Sequence, residues 1–197
     1  MSAFKKSPFV SEEEYFALSE ASDRRLEYMG GLVHAMQYPG LDHEMIAGNV
    51  FGALQQHLRT HASRVFQSTT RVRIAPPNFI FHYYPDVTVI CGTKQSNERF
   101  RENPVLMVEV LSPSTTNTDR REKLFVCQDS ESVQHYVIIA QDKKEITIYR
   151  RIPPPEGWEV EILTEDADIL RAPDLGFEMT LAEVYEKVDF PSQPPEP

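Results

Sequence analysis

A chain of 197 residues is long enough to bury a hydrophobic core within one domain. Its 41% hydrophobic and 25% charged residues are typical of a globular protein, and no apolar run approaches the roughly 18 residues of a membrane span. The net charge of −10 argues against a general nucleic-acid-binding surface, but residues 64–128 carry 9 basic and 6 acidic side chains and form the only net positive third. No secretory signal is visible and there are only two cysteines, so a cytoplasmic location is expected.

The first 63 residues are predicted to form a helix, a β-hairpin and a longer helix. Ser11 is the expected N-cap of the first helix, because Glu14 stands where it completes a capping box. Alternating hydrophobicity around Gly30 and Gly31 predicts a hairpin that turns at these glycines. Asp42 is the expected cap of the long helix, whose apolar residues follow helical spacing. The predicted ranges are a helix over 11–20, a hairpin over 24–36 and a helix over 42–62.

The rest of the chain alternates strands with two further helices. Pro76 and Pro77 separate the first two strands and Pro113 ends the third, because proline cannot donate to a sheet ladder. Asp119 is the expected N-cap of a helix, and Thr180 begins a second capping box. The predicted strands cover 64–74, 80–91, 105–111, 134–140, 145–150 and 158–163, and the predicted helices cover 119–129 and the segment after 180.

This order of elements predicts one α/β domain over residues 11–190, with a mixed central β-sheet flanked by helices. Neither an internal repeat nor an interdomain linker interrupts the pattern. Residues 1–10 are expected to form an N-terminal tail and residues 191–197 a proline-rich C-terminal tail.

Two acidic side chains belong to strands that are otherwise apolar. Glu109 is the only charge in the run 105–111, and Asp86 enters the run 84–90. Burial of a carboxylate costs several kcal/mol unless a cation or strong hydrogen-bond donors compensate it. Two such acids on adjacent strands indicate a divalent metal ion, whereas either acid alone is better explained by a buried ion pair or a structural hydrogen bond.

Lys123 is a candidate cation for the same site. It falls on the first turns of the helix after the Glu109 strand, so its ammonium group could reach back over the acids. Mg²⁺ takes one or two protein carboxylates and completes its coordination with water and phosphate oxygens, and a nearby ammonium can orient attacking water. The alternative is a surface pair with Asp119, four residues earlier. With both acids considered, the two explanations are about even.

The segments around these residues resemble the Uma-two family, restriction-endonuclease-like proteins of the PD-(D/E)XK nuclease superfamily. The resemblance covers about residues 10–188. Its most specific part is Glu109-Val110-Leu111-Ser112-Pro113-Ser114 followed by an aspartate and a lysine. The other matching segments are Leu26-Glu27-Tyr28-Met29-Gly30-Gly31, His43, Tyr84-Pro85-Asp86-Val87-Thr88-Val89, Asp119-Arg120-Arg121-Glu122-Lys123, and Val133 with Tyr136.

The resemblance implies a restriction-endonuclease-like core that hydrolyses phosphodiester bonds, in DNA rather than RNA. Asp86 and Glu109 would bind Mg²⁺, with Mn²⁺ as a substitute. Lys123 would position or activate the attacking water, because the usual lysine position, two residues after the glutamate, is Leu111 here. Glu27 matches a family acid and would add a third carboxylate, although an exposed hairpin side chain is an equal alternative. Many nucleases of this superfamily act as homodimers.

Two positions depart from the family pattern. Cys127 stands where the family often has tyrosine, and His135 stands where it often has an acid. Loss of that acid could weaken a second metal position or a supporting hydrogen bond. A catalytically inactive binding protein is therefore an alternative, and so is a metal-dependent hydrolase of another phosphorylated substrate, such as a nucleotide.

Other histidines and arginines carry weaker signals. His57 and His61 have a spacing that can bind zinc, but a helix-edge pair is favoured because no third ligand is apparent. His43 could face the cleft or pack against the hairpin. Solvated loop charges are the favoured interpretation of Lys94, Arg99 and Arg101, with phosphate contact as the alternative. The strand face formed by Trp158, Val160 and Ile162 is predicted to pack in the core or sheet.

Overall fold

The computed structural model describes residues 9–92, 97–111 and 118–190, except for the side chains of 118–120. Its α-helices are α1 (Glu12–Glu20), α2 (Leu41–His57), α3 (Thr118–Asp129) and α4 (Leu181–Val184). Its strands are β1 (Leu26–Met29), β2 (Leu32–Ala35), β3 (Arg64–Gln67), β4 (Val72–Ile74), β5 (Phe81–Tyr83), β6 (Val87–Ile90), β7 (Pro104–Leu111), β8 (His135–Ala140), β9 (Ile146–Arg151), β10 (Trp158–Leu163), β11 (Ile169–Ala172) and β12 (Phe177–Thr180). Within these ranges no helix is both long and apolar enough to cross a membrane.

The strands form one mixed sheet, one antiparallel sheet and a separate hairpin. The central sheet has six strands in the order β10-β9-β8-β7-β6-β3, in which β7 and β8 run parallel and the other pairs antiparallel. The second sheet has the order β2-β1-β5-β4, and β11 pairs with β12. The predicted α/β fold with a mixed central sheet is therefore confirmed.

Helices α2 and α3 cover opposite faces of the central sheet. Ile46, Val50 and Leu54 of α2 pack in one core cluster with Val108 and Val110 of β7. Met107 of β7 belongs instead to the cluster that contains Val126 and Cys127 of α3. Because successive strand residues point to opposite faces, Glu109 shares the α3 face with Met107.

The predicted strands over 64–74 and 80–91 are each divided between two sheets. The structure separates the first into β3 and β4 and the second into β5 and β6; β3 pairs with β6 in the central sheet, while β4 pairs with β5 in the second sheet. Pro85 lies between β5 and β6 and lacks the amide proton that continued pairing would need. Asp86 therefore sits where the chain passes from the second sheet to the central one.

Both capping boxes are confirmed, at Ser11 with Glu14 and at Thr180 with Glu183. The predicted cap at Asp42 is wrong, because α2 begins at Leu41 with Gly40 as its N-cap. Asp42 instead lies in the first turn, where its negative charge interacts favourably with the positive end of the helix dipole. The helix also ends at His57 and continues only as a short 3₁₀ turn over Leu58–Thr60.

Two features near the C-terminus differ from the sequence-based expectation. The β11–β12 hairpin was not predicted; a 3₁₀ turn joins its strands and ends at Gly176, which has a φ of 60°. The predicted burial of the Trp158 strand face is wrong for Val160 and Ile162, which are 57% and 61% exposed. The reason is that β10 is the outer strand of the sheet, and only Trp158 packs against the α3-side core.

Leu54→Ala tests the packing of α2 against the central sheet. Leu54 is fully buried in the core, so its truncation leaves a cavity and should lower the free energy of unfolding by about 2–5 kcal/mol. The measurement is urea unfolding followed by circular dichroism. The neighbouring exposed residue provides the control, because Gln55→Ala should change the free energy by less than about 0.5 kcal/mol. Equal effects of the two changes would contradict the packing described.

Candidate active site

The pairing of β6 with β7 brings Asp86 and Glu109 together. Val87 lies opposite Val108 in the antiparallel register, so the next residues outward are Asp86 and Glu109. The backbone amide of Val110 donates to Asp86 Oδ2 at 2.8 Å, which fixes this carboxylate against the end of β7. Both acids are buried, with 7% and 4% exposure, and both line the same cavity.

Lys123 lies between two carboxylates from different sheets. Its Nζ is 2.9 Å from Glu27 Oε1 and 3.0 Å from Glu109 Oε1. The same Nζ lies 5.1 Å from the ring centroid of Tyr83, in cation–π contact. Lys123 is only 8% exposed, so the surface-pair alternative is wrong for this side chain; the side chain of Asp119 falls outside the described residues.

Glu27 is part of the buried cluster rather than an exposed hairpin side chain. Strand β1 pairs with β5 in the second sheet, and this pairing places Glu27 near the chain segment that leads to Asp86. Glu27 Oε1 accepts from the backbone amide of Tyr84 at 3.4 Å as well as from Lys123. The sequence carries no local signal for this burial, because it depends on how the two sheets meet.

His43 faces the cleft from the first turn of α2. Its Nε2 lies 2.9 Å from Asp86 Oδ1. Burial by itself lowers the pKa of His43, but the hydrogen bond and charge of Asp86 outweigh it, so the pKa is raised overall. Asp86 is thus held from two sides, by a backbone amide and by an imidazole, and of the two placements left open for His43 the structure shows the cleft-facing one.

With all three acids ionised, the cluster holds more negative than positive charge. Glu27, Asp86 and Glu109 face one ammonium group and the imidazole of His43. Burial raises the pKa of Glu109 to about 8; Lys123 opposes this change, whereas Asp86 and Glu27 add to it. The pKa of Lys123 is raised by the charges of Glu109 and Glu27 despite its burial, so the lysine stays charged.

A cavity of about 460 Å³ gives the cluster access to solvent. Its floor includes the three acids and Lys123. Sequence reasoning missed several polar residues of its wall, because they come from separate loops and strands and belong to no motif. These residues are Arg25, His34, Gln37, Tyr38 and Gln141, whereas Tyr136, which also lines the cavity, was already part of the family resemblance.

The donor set suits a divalent cation that prefers oxygen ligands. Asp86 and Glu109 could hold such an ion, since Mg²⁺ needs only one or two protein carboxylates. The surplus of buried negative charge supports this fit, because a cation would neutralise it. The described ranges contain no group of three or more acidic, histidine or cysteine side chains already arranged around one metal position. Water and substrate oxygens would therefore supply most of the ligands.

His135 lies on the other face of the central sheet from the cluster. It shares a strand face with Val137 and Ile139, which pack on the α2 side. Its Nε2 is 3.3 Å from Asp174 Oδ2. An acid at this position would lie on the α2 side, away from the cluster, so the geometry gives no support to the expected weakening of a second metal position or a supporting hydrogen bond. Cys127 is buried on the α3 side, with its Sγ 3.8 Å from the sulfur of Met107, and has a packing role.

The remaining candidate residues do not join the cluster. His57 Nε2 bonds with the carbonyl oxygen of Leu175 at 2.9 Å, and its ring lies 6.0 Å from that of His61, which agrees with a helix-edge pair. Arg99 is half exposed, with its guanidinium nitrogens 3.7 Å and 3.6 Å from acids of α1. Lys94, Ser112 and Ser114 lie outside the described residues.

Comparison with known proteins identifies the relatives of this chain. A sequence model of the Uma2 (Uma-two) family, described as "Putative restriction endonuclease", matches residues 12–182. Two uncharacterized proteins of Synechocystis sp. are 26% identical over 184 residues and 24% identical over 163 residues; the alignments cover 93% and 81% of this chain and 95% and 91% of the relatives. The crystal structure of a "putative nuclease belonging to DUF820" from Anabaena variabilis has a TM-score of 0.70 at 18% identity, covering 88% of this chain and 96% of that chain.

The raised pKa of Glu109 predicts a loss of stability with rising pH in the metal-free protein. The folded state keeps the Glu109 proton up to about pH 8, whereas the unfolded chain releases it near 4.5. Raising the pH through this window removes a proton that the folded state holds more tightly, so the free energy of unfolding should fall. Glu109→Gln should flatten this dependence. The measurement is urea unfolding in EDTA at several pH values between these limits.

Glu156→Gln is the matched control, because it removes an exposed acid of the turn between β9 and β10 and should leave the pH dependence unchanged. Identical slopes for the wild type and Glu109→Gln would show that Glu109 does not titrate in this window.

Proposed function

The chain belongs to the Uma2 family, and from this premise we propose that it is a Mg²⁺-dependent endonuclease that hydrolyses phosphodiester bonds in DNA. The observation that carries the proposal is the buried cluster in which Lys123 joins Glu27 to Glu109 next to Asp86. Burial of three acids around one lysine costs stability, and apolar side chains of similar size would pack equally well without that cost. A reaction on a charged substrate gives a reason to keep them.

Each residue of the cluster has a distinct part in the proposed hydrolysis. Asp86 and Glu109 would hold the ion, which when bound polarises the phosphate and lowers the pKa of a water molecule. Lys123 orients that water and places positive charge where the phosphate gains negative charge. Glu27 is a positioning residue, since it accepts a hydrogen bond from the Lys123 ammonium that also contacts Glu109. His43 positions Asp86 through its imidazole in the same way.

The family likeness supports further parts of the proposal. A homodimer with one site for each strand would cut a duplex on both strands. DNA is preferred to RNA as the substrate, and Mn²⁺ is expected to replace Mg²⁺ because it accepts the same oxygen ligands. Cys91 and Cys127 are both free thiols, which fits a reducing compartment such as the cytoplasm.

A catalytically inactive binding protein is the second candidate. It is favoured by one observation: the acids already have protein partners, with Lys123 beside Glu27 and Glu109 and with His43 beside Asp86. The cluster could persist as a closed set of ion pairs. Its surplus negative charge favours the enzyme instead. A hydrolase of nucleotides, the third alternative, would use the same residues and differs only in its substrate.

Neutral variants of the two proposed metal ligands test the hydrolytic assignment. Asp86→Asn and Glu109→Gln keep the size of each side chain but remove its charge, so each should lower the rate of DNA cleavage by at least about 10²-fold. Lys123→Met should lower it by about 10²- to 10⁴-fold, because the proposed water-positioning donor is lost. The measurement is the nicking of a supercoiled plasmid in Mg²⁺.

Glu178→Gln serves as the control for loss of an acid outside the cavity, and its rate should equal that of the wild type. Cleavage that survives both Asp86→Asn and Glu109→Gln in saturating Mg²⁺ would refute the assignment. Equal cleavage of plasmid and of free nucleotides would favour the third alternative.

Metal binding separates the enzyme from the inactive binding protein. Mg²⁺ at 100 times its dissociation constant should stabilise the wild type by about 2.7 kcal/mol, because an ion that binds only the folded state shifts the unfolding equilibrium. The Asp86→Asn, Glu109→Gln double variant should show no such gain. Isothermal calorimetry and thermal melting with Mg²⁺ and Mn²⁺ provide the measurement. Absence of binding by the wild type would favour the inactive protein.

A further inference from the structure

A further, smaller concavity of about 260 Å³ is formed by residues of 69–71 and 98–101 together with Tyr84. Arg71, Arg99 and Arg101 contribute to its wall, and Glu98 is the carboxylate among its lining residues. Its other polar groups are the hydroxyls of Thr69, Thr70 and Tyr84. Guanidinium and hydroxyl groups together are the side chains that commonly contact phosphate oxygens.

Two contacts connect this concavity to the active site. The backbone amide of Tyr84 donates to Glu27 in the catalytic cluster, and its hydroxyl accepts from Arg71 Nε at 2.9 Å. A single tyrosine thus spans the distance between them. Arg25 lines the active-site cavity and donates from Nη1 to the carbonyl oxygen of Ser68, the residue before Thr69. Hydrogen bonds therefore connect the linings of the two openings.

Arg25, Arg71 and Arg101, which we call the arginine strip, lack carboxylate partners among the residues that the structure describes. Each is half-buried. Their acceptors are the carbonyl oxygens of Ser68, Asn97, Arg99 and Phe100 and the hydroxyls of Ser19 and Tyr84. Arg73 differs, because it pairs with Glu12 and Glu102. The strip thus keeps its positive charge available to an anion.

Aromatic contacts hold two of these guanidinium groups in place. Arg71 lies 5.1 Å from the ring centroid of Tyr15 and 5.2 Å from that of Phe16. Arg101 lies 5.8 Å from the ring centroid of Phe66. A guanidinium that is already fixed loses less conformational freedom when it binds, and its planar N–H groups match the geometry of phosphate oxygens.

We propose that the arginine strip binds the backbone phosphates of a nucleic-acid strand that enters the active-site cavity. This inference rests on the proposed function and extends it by locating the path of the strand. Arg25 lines the cavity, Arg71 donates to the hydroxyl of Tyr84, and the backbone amide of Arg101 donates to the carbonyl oxygen of Arg71 at 2.8 Å. Three arginines suit a polymer of phosphates better than a single phosphate ion, which could contact only some of them.

The salt dependence of binding tests the proposal. An oligonucleotide with a fluorescent label is titrated with the protein in EDTA, which prevents cleavage, at several salt concentrations. Each phosphate contact contributes about 0.7 to 0.9 to the slope of log K against log salt. The Arg25→Gln, Arg101→Gln double variant should therefore lower the slope by about 1.4 to 1.8. Each single variant should lower it by about half of that, which keeps the test valid if the double variant does not fold.

Two matched variants control the experiment. Arg25→Lys with Arg101→Lys keeps both charges and should keep the slope of the wild type. Arg59→Gln removes an exposed arginine that lines neither opening, and it should also leave the slope unchanged. Thermal melting establishes that each variant is folded.

The outcomes separate this inference from the proposed function. An unchanged slope in the glutamine variants, with wild-type cleavage intact, overturns the arginine strip alone. A lowered slope in a protein that cleaves nothing with any metal supports the strip and overturns the endonuclease. Inorganic phosphate and unlabelled oligonucleotide are also compared as competitors at equal phosphate concentration. If both displace the labelled oligonucleotide equally, a single-phosphate site replaces strand binding. No oligonucleotide binding by the wild type in EDTA overturns the arginine strip, and plasmid nicking in Mg²⁺ then decides the endonuclease separately.

Discussion

The contact of Lys123 with Glu27 and Glu109 is the interaction on which the rest of the site depends. These three residues belong to α3, the second sheet and the central sheet, so one ammonium group ties together three parts of the fold. Without it, two buried carboxylates would face each other with no compensating charge, at a cost of roughly 3–5 kcal/mol for a broken buried pair. The position of α3 over the sheet is therefore an electrostatic requirement as well as a packing one.

The same contact leaves the cluster short of positive charge. Lys123 compensates one of its two partners, and Asp86 relies on a backbone amide and on His43. An apolar core would not need this arrangement, since residues of similar size could fill the space without desolvation cost. Sites that are poor for stability but rich in convergent charge are those at which function overrides packing. A proton on Glu109 or a bound cation can remove the excess, and the two are mutually exclusive because a protonated carboxyl is a poor ligand.

Sequence reasoning found the residues whose character contrasts with their local surroundings. Glu109 and Asp86 stand out as charges within apolar strands, and their contrast survives in the folded structure. Glu27 and Arg25 do not stand out, because a charged residue in a short hairpin is ordinary and only the meeting of two sheets gives these residues their location. His135 could have been placed correctly, since alternation puts it on the face of Val137 and Ile139. The β11–β12 hairpin also had a usable signal, the alternation of Phe177 and Met179 with polar residues.

The distribution of ion pairs explains how a chain of net charge −10 can present a cationic path. In the C-terminal third most basic side chains face acids: Arg150 lies 2.6 Å from Glu161, and Arg171 lies 3.0 Å from Glu178. Arg151 is an exception, because its guanidinium donates to backbone carbonyl oxygens. Two acids of that third, Glu159 and Glu161, belong to β10, which β8 and β9 separate from β7. The arginine strip instead interacts with carbonyl oxygens, hydroxyls and aromatic rings, which orient its guanidinium groups without cancelling their charge. The net charge of the whole chain is therefore a poor guide to this surface. An interaction with a polyanion depends on the cations that the fold leaves uncompensated near the cavity.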